Sequence, residues 1–100
     1  MIELAILGVL KESELHGYEL KKRLREVLGP LSSVSFGSLY PALHKLEQQG
    51  WIATQWGISE TNRKVKFYAL TPAGKKQLRV EVANWEKATA LVARFLEAKP

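Results

Sequence analysis

The sequence predicts a mainly α, α+β fold: three helices, a two-stranded hairpin and one long terminal helix. Three observations lead there. Between His16 and Gly50, apolar residues recur at intervals of three and four. Two runs rich in aromatic and β-branched residues then flank a polar, charged stretch. From Thr71 onward a heptad-like apolar row runs without an internal break.

The first helix is placed at Ile2 to Leu10, which is nearly all apolar and interrupted at Gly8. Nine residues without alternation fit a helix buried on most sides better than a strand. The polar Lys11-Glu12-Ser13-Glu14 ends it.

A second helix is expected from about His16 to Leu28. Leu15, Tyr18, Leu20, Leu24, Val27 and Leu28 supply its apolar face, with Lys21, Lys22, Arg23 and Arg25 mainly on the other. Gly29-Pro30 closes it, glycine just past the end and proline behind.

Ser35 is a good N-cap for the third helix, and Phe36, Leu39, Leu43 and Leu46 face the core from it. Gly50 stops it. Pro41 cannot donate a backbone bond to Gly37, so the helix should start irregularly.

Trp51–Trp56 and Val65–Leu70 are the expected strands, and Gly57–Lys64 between them forms a charged hairpin tip. Thr71-Pro72 opens the last helix, threonine as N-cap and proline at the first helical position. It can run to Ala98, about 40 Å at about 1.5 Å per residue. Leu78, Val82, Trp85, Thr89, Val92 and Leu96 form its row, widened by Ala88, Leu91 and Phe95. So small a domain cannot cover that face, which calls for a second copy. The expected interface is Leu78, Val82, Trp85, Ala88, Leu91, Val92, Phe95 and Leu96.

Charge follows the same division. The chain of 100 residues carries a net +5, with twelve Lys/Arg and seven Asp/Glu in residues 1–80 but three of each in residues 81–100. A basic unit with a neutral terminal helix suits phosphate binding through the first and protein contact through the second. There is no cysteine, which excludes disulfides and thiolate metal sites and suits a cytoplasmic location. The longest apolar stretch, Leu4 to Leu10, is too short to span a bilayer and lacks the flanks of a secretory signal.

Three helices followed by a hairpin make the winged helix-turn-helix arrangement, in which the third helix enters the major groove of DNA and the hairpin, or wing, reaches an adjacent backbone or minor groove. The expected division is therefore a DNA-binding domain over 1–71 and a dimerisation helix over 72–100. Lys45, His44, Gln48 and Gln49 lie off the apolar face of the third helix, as groove contacts or as a solvated face. Ser35, Gly37, Ser38 and Tyr40 stand at its start, where the first-turn N–H groups of a helix attract anions. The plainer alternative makes Ser35 a cap and Tyr40 half-buried core. Arg63 and Lys64 at the wing suit a phosphate or a narrow minor groove, and Lys22 leads the basic cluster of the second helix.

No enzyme is expected. His16 has no nucleophile or carboxylate set around it and only one other histidine in the chain, so packing or capping is its expected role. No metal and no cofactor are expected. A winged-helix protein-interaction module without DNA binding is the rival reading; it predicts a neutral or acidic third helix and wing, which this chain does not have.

The sequence also resembles a known family. Leu4-Ala5-Ile6-Leu7-Gly8, His16-Gly17-Tyr18-Glu19-Leu20, Ser35-Phe36-Gly37-Ser38-Leu39-Tyr40-Pro41-Ala42-Leu43, Leu46-Glu47, Gly50-Trp51-Ile52 and Tyr68-Ala69-Leu70-Thr71-Pro72-Ala73-Gly74 are similar, in order, to the signature blocks of PadR-type regulators. One terminal helix resembles their short subclass. The resemblance implies a homodimeric repressor, relieved by a small inducer. Some short members hold flat aromatic compounds at the dimer interface, which makes Trp85, Phe95, Leu4 and Ala5 candidate ligand contacts. Trp85 is equally a plain hydrophobic anchor of the dimer.

Overall fold

The computed structural model describes residues 2–29 and 36–97, with the Phe36 side chain excepted. Four helices and a three-stranded antiparallel sheet follow in the order α1 (Ile2–Leu10), β1 (Leu15–His16), α2 (Gly17–Leu28), a 3₁₀ turn (Phe36–Ser38), α3 (Leu39–Gln48), β2 (Ile52–Ile58), β3 (Lys64–Leu70) and α4 (Pro72–Glu97). The expected roles of Pro30, Ser35, the Phe36 side chain and Ala98 fall outside the described residues.

The core forms where α1, α2 and α3 turn their apolar faces together. Ile6, Leu7, Leu20, Leu24, Leu39 and Leu46 are fully buried in it, and Ile52, Tyr68 and Leu78 bring in β2, β3 and α4. Two residues assigned to the apolar face of α2 are not there: Tyr18 is 74% exposed and Val27 56%. The i, i+4 pair Leu20 and Leu24 defines the buried stripe. Tyr18 lies two positions earlier, about 200° around the helix, and so faces solvent.

His16 caps α2. Its Nδ1 accepts the Glu19 backbone N–H and the Glu19 carboxylate accepts the His16 backbone N–H, each at 3.3 Å. This is a capping box with histidine in the place of serine. The same residue, with Leu15, forms the short strand β1, where Leu15 pairs with Tyr68 and His16 with Phe67. The sheet order is therefore β1-β3-β2, and the second helix is pinned at its start to the middle strand.

The irregular entry to α3 is the 3₁₀ turn, after which Pro41 sits in the first helical turn. The N–H groups of a first turn have no intrahelical partner, so proline loses nothing there. At the other end Gly50, with φ +76°, donates to the Glu47 carbonyl and Trp51 donates to that of Leu46. This Schellman closure explains why glycine stands at 50.

Both strands of the wing run further toward the tip than expected, taking in Gly57, Ile58 and Lys64, while β2 begins at Ile52 and leaves out Trp51, whose N–H closes α3. Gly57 is accepted in a strand because the Phe67 ring lies over it: a Cβ there would come within 2.7 Å of that ring. The tip shrinks to residues 59–63, closed by Ser59 N–H to the Arg63 carbonyl at 2.8 Å and by Asn62 at φ 60°.

Thr71 joins the wing to α4. Its hydroxyl donates to the Gly50 carbonyl at 2.7 Å and accepts the Gly74 N–H at 2.9 Å, the expected N-cap. Past Leu78 the helix leaves the core. Val82, Trp85, Leu91, Val92, Phe95 and Leu96 are between 41% and 81% exposed. Leu78 differs from the rest of its row, being 7% exposed inside the chain's own core, so it does not belong to the free face. No described helix is long and apolar enough to cross a membrane.

Candidate nucleic-acid interface

α2, the start of α3 and the inner face of the wing enclose an open cleft of about 990 Å³. Four of the residues singled out from the sequence, Lys22, Tyr40, Arg63 and Lys64, line it together. They arrive from three different parts of the chain. Lys22 is held on the solvent side of α2 by the burial of Leu20 and Leu24 on the other. Tyr40 is 56% exposed rather than half-buried core, and its hydroxyl lies close beside Gly17, where a Cβ would meet it at 3.3 Å. Arg63 and Lys64 come from the return of the hairpin.

On α3, Leu39, Ala42, Leu43 and Leu46 are buried. That leaves Tyr40, His44 and Gln48 in one exposed row at i, i+4 and i+8. Gly37 and Ser38 are exposed at the head of the row. Lys45 lies on the edge nearest α1. The Glu3 carboxyl at the start of α1 is held below its usual pKa, mainly by a backbone hydrogen bond, with the Lys45 charge a smaller contributor. Glu47 occupies the opposite edge, where its carboxylate accepts the Thr54 hydroxyl of β2 at 2.9 Å. His44, Lys45 and Gln48 are thus outside the cleft but on the surface that continues from it.

Tyr18, Trp56 and Lys66 are among the cleft residues not picked out as site residues from the sequence. Tyr18 was assigned to the core, and Trp56 and Lys66 were read only as strand residues. Register brings the last two together: Trp56 pairs with Lys66 across the hairpin. The Lys64 ammonium lies 5.3 Å from the centre of the Trp56 ring and that of Lys66 6.0 Å from the Tyr68 ring. The carboxylates of the cleft are largely engaged. Glu19 contacts the His16 ring, and Glu26 shares Arg23 with Glu12, each at 3.3 Å. With Glu26 paired to Arg23, the cleft sets Lys22, Arg63, Lys64 and Lys66 against Glu19 and Glu60, a cationic surface overall.

The four candidate ligand contacts do not meet in one cavity of the described chain. Leu4 and Ala5 pack against the core from α1, whereas Trp85 and Phe95 are exposed on α4. A separate groove of about 660 Å³ runs between α1 and α4, with Gly8, Leu78 and Val82 in its wall and none of those four. Among the described residues no His, Cys, Asp or Glu cluster could hold a metal ion.

Residues 6–80 match the model of the transcriptional regulator PadR-like family. The chain belongs to that family. It is 37% identical over 78 residues to the negative transcriptional regulator PadR of Bacillus subtilis, covering 78% of this chain but only 43% of that protein. A PadR-like transcriptional regulator of Bacillus cereus superposes over 98% of this chain and 93% of its own, with a TM-score of 0.83 and 28% identity. The Bacillus subtilis PadR solved in complex with operator DNA superposes with a TM-score of 0.71 at 35% identity, over 82% of this chain and 46% of that one. The PadR family consists of transcriptional regulators rather than enzymes, and the single long α4 fits its short subclass.

Proposed function

We propose that this PadR-family regulator binds duplex DNA sequence-specifically as a homodimer, with α3 in the major groove and the wing on the flanking backbone. The observation that carries the reading is the convergence of Lys22, Tyr40, Arg63 and Lys64 in one cleft beside the exposed row of α3. Cations placed on two sides of a protruding helix hold phosphates and fix its register, while Tyr40, His44 and Gln48 meet base edges. Gly37 and Ser38 extend the contact at its head and Lys45 along the edge nearest α1, and Ser35 precedes it in the chain.

Residues 1–71 form the DNA-binding unit in this reading, and 72–100 the dimerisation helix. Pairing of two exposed α4 stripes presents two α3 helices to successive major-groove faces, roughly 34 Å apart on a near-palindromic site. Regulation is repression, relieved in the cytoplasm by a small planar inducer between protomers, near Trp85 and Phe95. Such a ligand changes DNA affinity only through different affinities for the two arrangements of the dimer.

The test is a gel-shift series on the gene's own upstream duplex across salt concentrations. Binding should weaken steeply between about 50 and about 200 mM salt. Changing Lys45 and Arg63 together to Ala should abolish the shift at moderate salt, whereas an unchanged shift would remove these surfaces from the interface.

A further inference from the structure

The wing carries more exposed apolar surface than a solvated hairpin needs. Trp56 is 61% exposed and Ile58 62%. Alternation along β2 puts both on the face of Thr54, which points to α3 through its bond to Glu47. Register places Lys66 opposite Trp56 and Lys64 opposite Ile58. This face of the wing is thus two apolar–lysine pairs in succession, about 6.7 Å apart along the strand, with Trp56, Lys64 and Lys66 lining the cleft and Ile58 extending the strip past its rim. That is of the order of the spacing between neighbouring phosphates of a nucleic-acid strand. Across the cleft stand Tyr18, 74% exposed, and Lys22.

Charge and shape together select the occupant. An apolar protein segment would leave the lysines without partners, and a free phosphate would leave Trp56 and Ile58 in water. A sugar-phosphate chain meets both, deoxyribose edges on the apolar side chains and phosphates on the ammonium groups. The tip is poorly made for deep entry into a minor groove, because Glu60 stands exposed beside Arg63 and would meet phosphates on either side.

Resting on the DNA-binding reading above, we infer that the inner face of the wing clamps the backbone of one DNA strand. Trp56 and Ile58 hold sugars, Lys64 and Lys66 hold the phosphates beside them, and Tyr18 with Lys22 closes the far wall. Lys64 must leave the Trp56 ring to reach its phosphate, so the ring exchanges a lysine cover for a sugar. The contact reads no bases. It sets affinity and register, and leaves sequence choice to α3.

The test uses the full chain labelled with fluorotryptophan, which gives three ¹⁹F resonances, that of Trp56 assigned by its loss in Trp56→Phe. Adding the upstream duplex should move the Trp56 resonance, and an unrelated duplex at low salt should move it in the same way. By fluorescence anisotropy, Trp56→Ala should weaken binding by about tenfold on both duplexes alike, and Trp56→Phe should keep most of the affinity. Because the side chain is mostly exposed, both variants should unfold at temperatures near that of the parent. A parent chain that binds DNA while the Trp56 resonance stays still and Trp56→Ala binds within twofold would overturn the clamp and leave the DNA reading standing. A parent chain that binds no duplex at low salt would overturn both. Should Trp56→Ala change self-association and not DNA affinity, the strip is a contact between copies and the clamp is wrong.

Discussion

The Thr54 hydroxyl of β2 donates to the Glu47 carboxylate of α3 across 2.9 Å, tying the wing to the helix proposed to enter the groove. Both groups are half-buried, so the bond fixes the angle between the two DNA-contacting elements. Thr54→Val keeps the shape of the side chain and removes the donor, leaving a carboxylate with less compensation for its lost water. Stability should fall by about 1–2 kcal/mol in urea unfolding. DNA affinity should fall as well in conditions where the variant is fully folded, since a freer wing loses the register it shared with α3. A variant with unchanged stability and affinity would mean that Glu47 finds water or another donor just as readily.

Tyr68 lies under that same junction, and its hydroxyl is pushed above its ordinary pKa of 10.0 by burial first, then by Tyr40 and by the negative charge of Glu47. The folded state therefore holds the phenolic proton more tightly than the unfolded chain does. Stability is unaffected by this group below about pH 10, where both states are protonated. It then falls as pH rises from 10 towards the folded value, where only the unfolded chain gives up its proton. Thermal midpoints measured from pH 8 to 11 should drop more steeply for the parent chain than for Tyr68→Phe. Parallel curves would show that the phenol titrates alike in both states.

How much of this was legible beforehand depended on whether the signal was local. α3 carries its apolar period and its stop signal in the sequence, α4 its apolar row and its Thr71-Pro72 start, and α1 an apolar run closed by polar residues, and even the irregular entry at Pro41 follows from its missing N–H. The two-residue strand β1 has no period to detect; it exists because Leu15 and His16 lie alongside Tyr68 and Phe67, a pairing only the folded chain brings about. Tyr18 was misplaced because its chemistry suggested burial, although its angular position relative to Leu20 did not. Lys22, Arg63 and Lys64 could be found as basic residues on exposed segments. Trp56 and Lys66 could not, since their meaning depends on a register set by the length of the turn. Leu78 belongs to the periodic row of α4, but periodicity does not mark where the core ends and the free face begins.

Gly74 gives a sharper test of how α4 leaves the wing. A Cβ at this position would collide with the Trp51 carbonyl oxygen and come within 2.8 Å of Leu70 Cδ1. The oxygen cannot move aside cheaply, because it accepts the Thr71 N–H at 3.1 Å. Gly74→Ala, a substitution that favours helix in open surroundings, should here destabilise by about 2–3 kcal/mol or more. Thr71→Ala at the neighbouring cap should cost about 1 kcal/mol, with Thr71→Ser close to neutral. Calorimetry on the three variants should give that order, and a stabilised Gly74→Ala would show that α4 can tilt away from the hairpin without loss.

The proposed dimer rests on the free part of α4, where Trp85, Leu91, Val92, Phe95 and Leu96 are each more than half exposed. A polar residue in this row would ordinarily oppose close pairing, but Thr89 turns its hydroxyl onto the Trp85 carbonyl of its own helix at 2.8 Å. Its polar atom is therefore satisfied before any partner arrives, and Thr89→Val should change self-association little. Leu91→Asp with Phe95→Asp places two charges where apolar side chains are proposed to meet, and sedimentation at micromolar concentration should show the pair converting dimer to monomer. The two interfaces should also separate by salt: apolar pairing of α4 should survive concentrations that release DNA, since phosphate contacts are lost with counterion return and buried methyl groups are not. The double variant should keep its melting transition for residues around Leu20 and Leu46, because that core lies wholly within one protomer, yet bind the upstream duplex far more weakly, with one α3 engaged in place of two. Tight DNA binding by a proven monomer would place the second half of the operator contact somewhere other than α4.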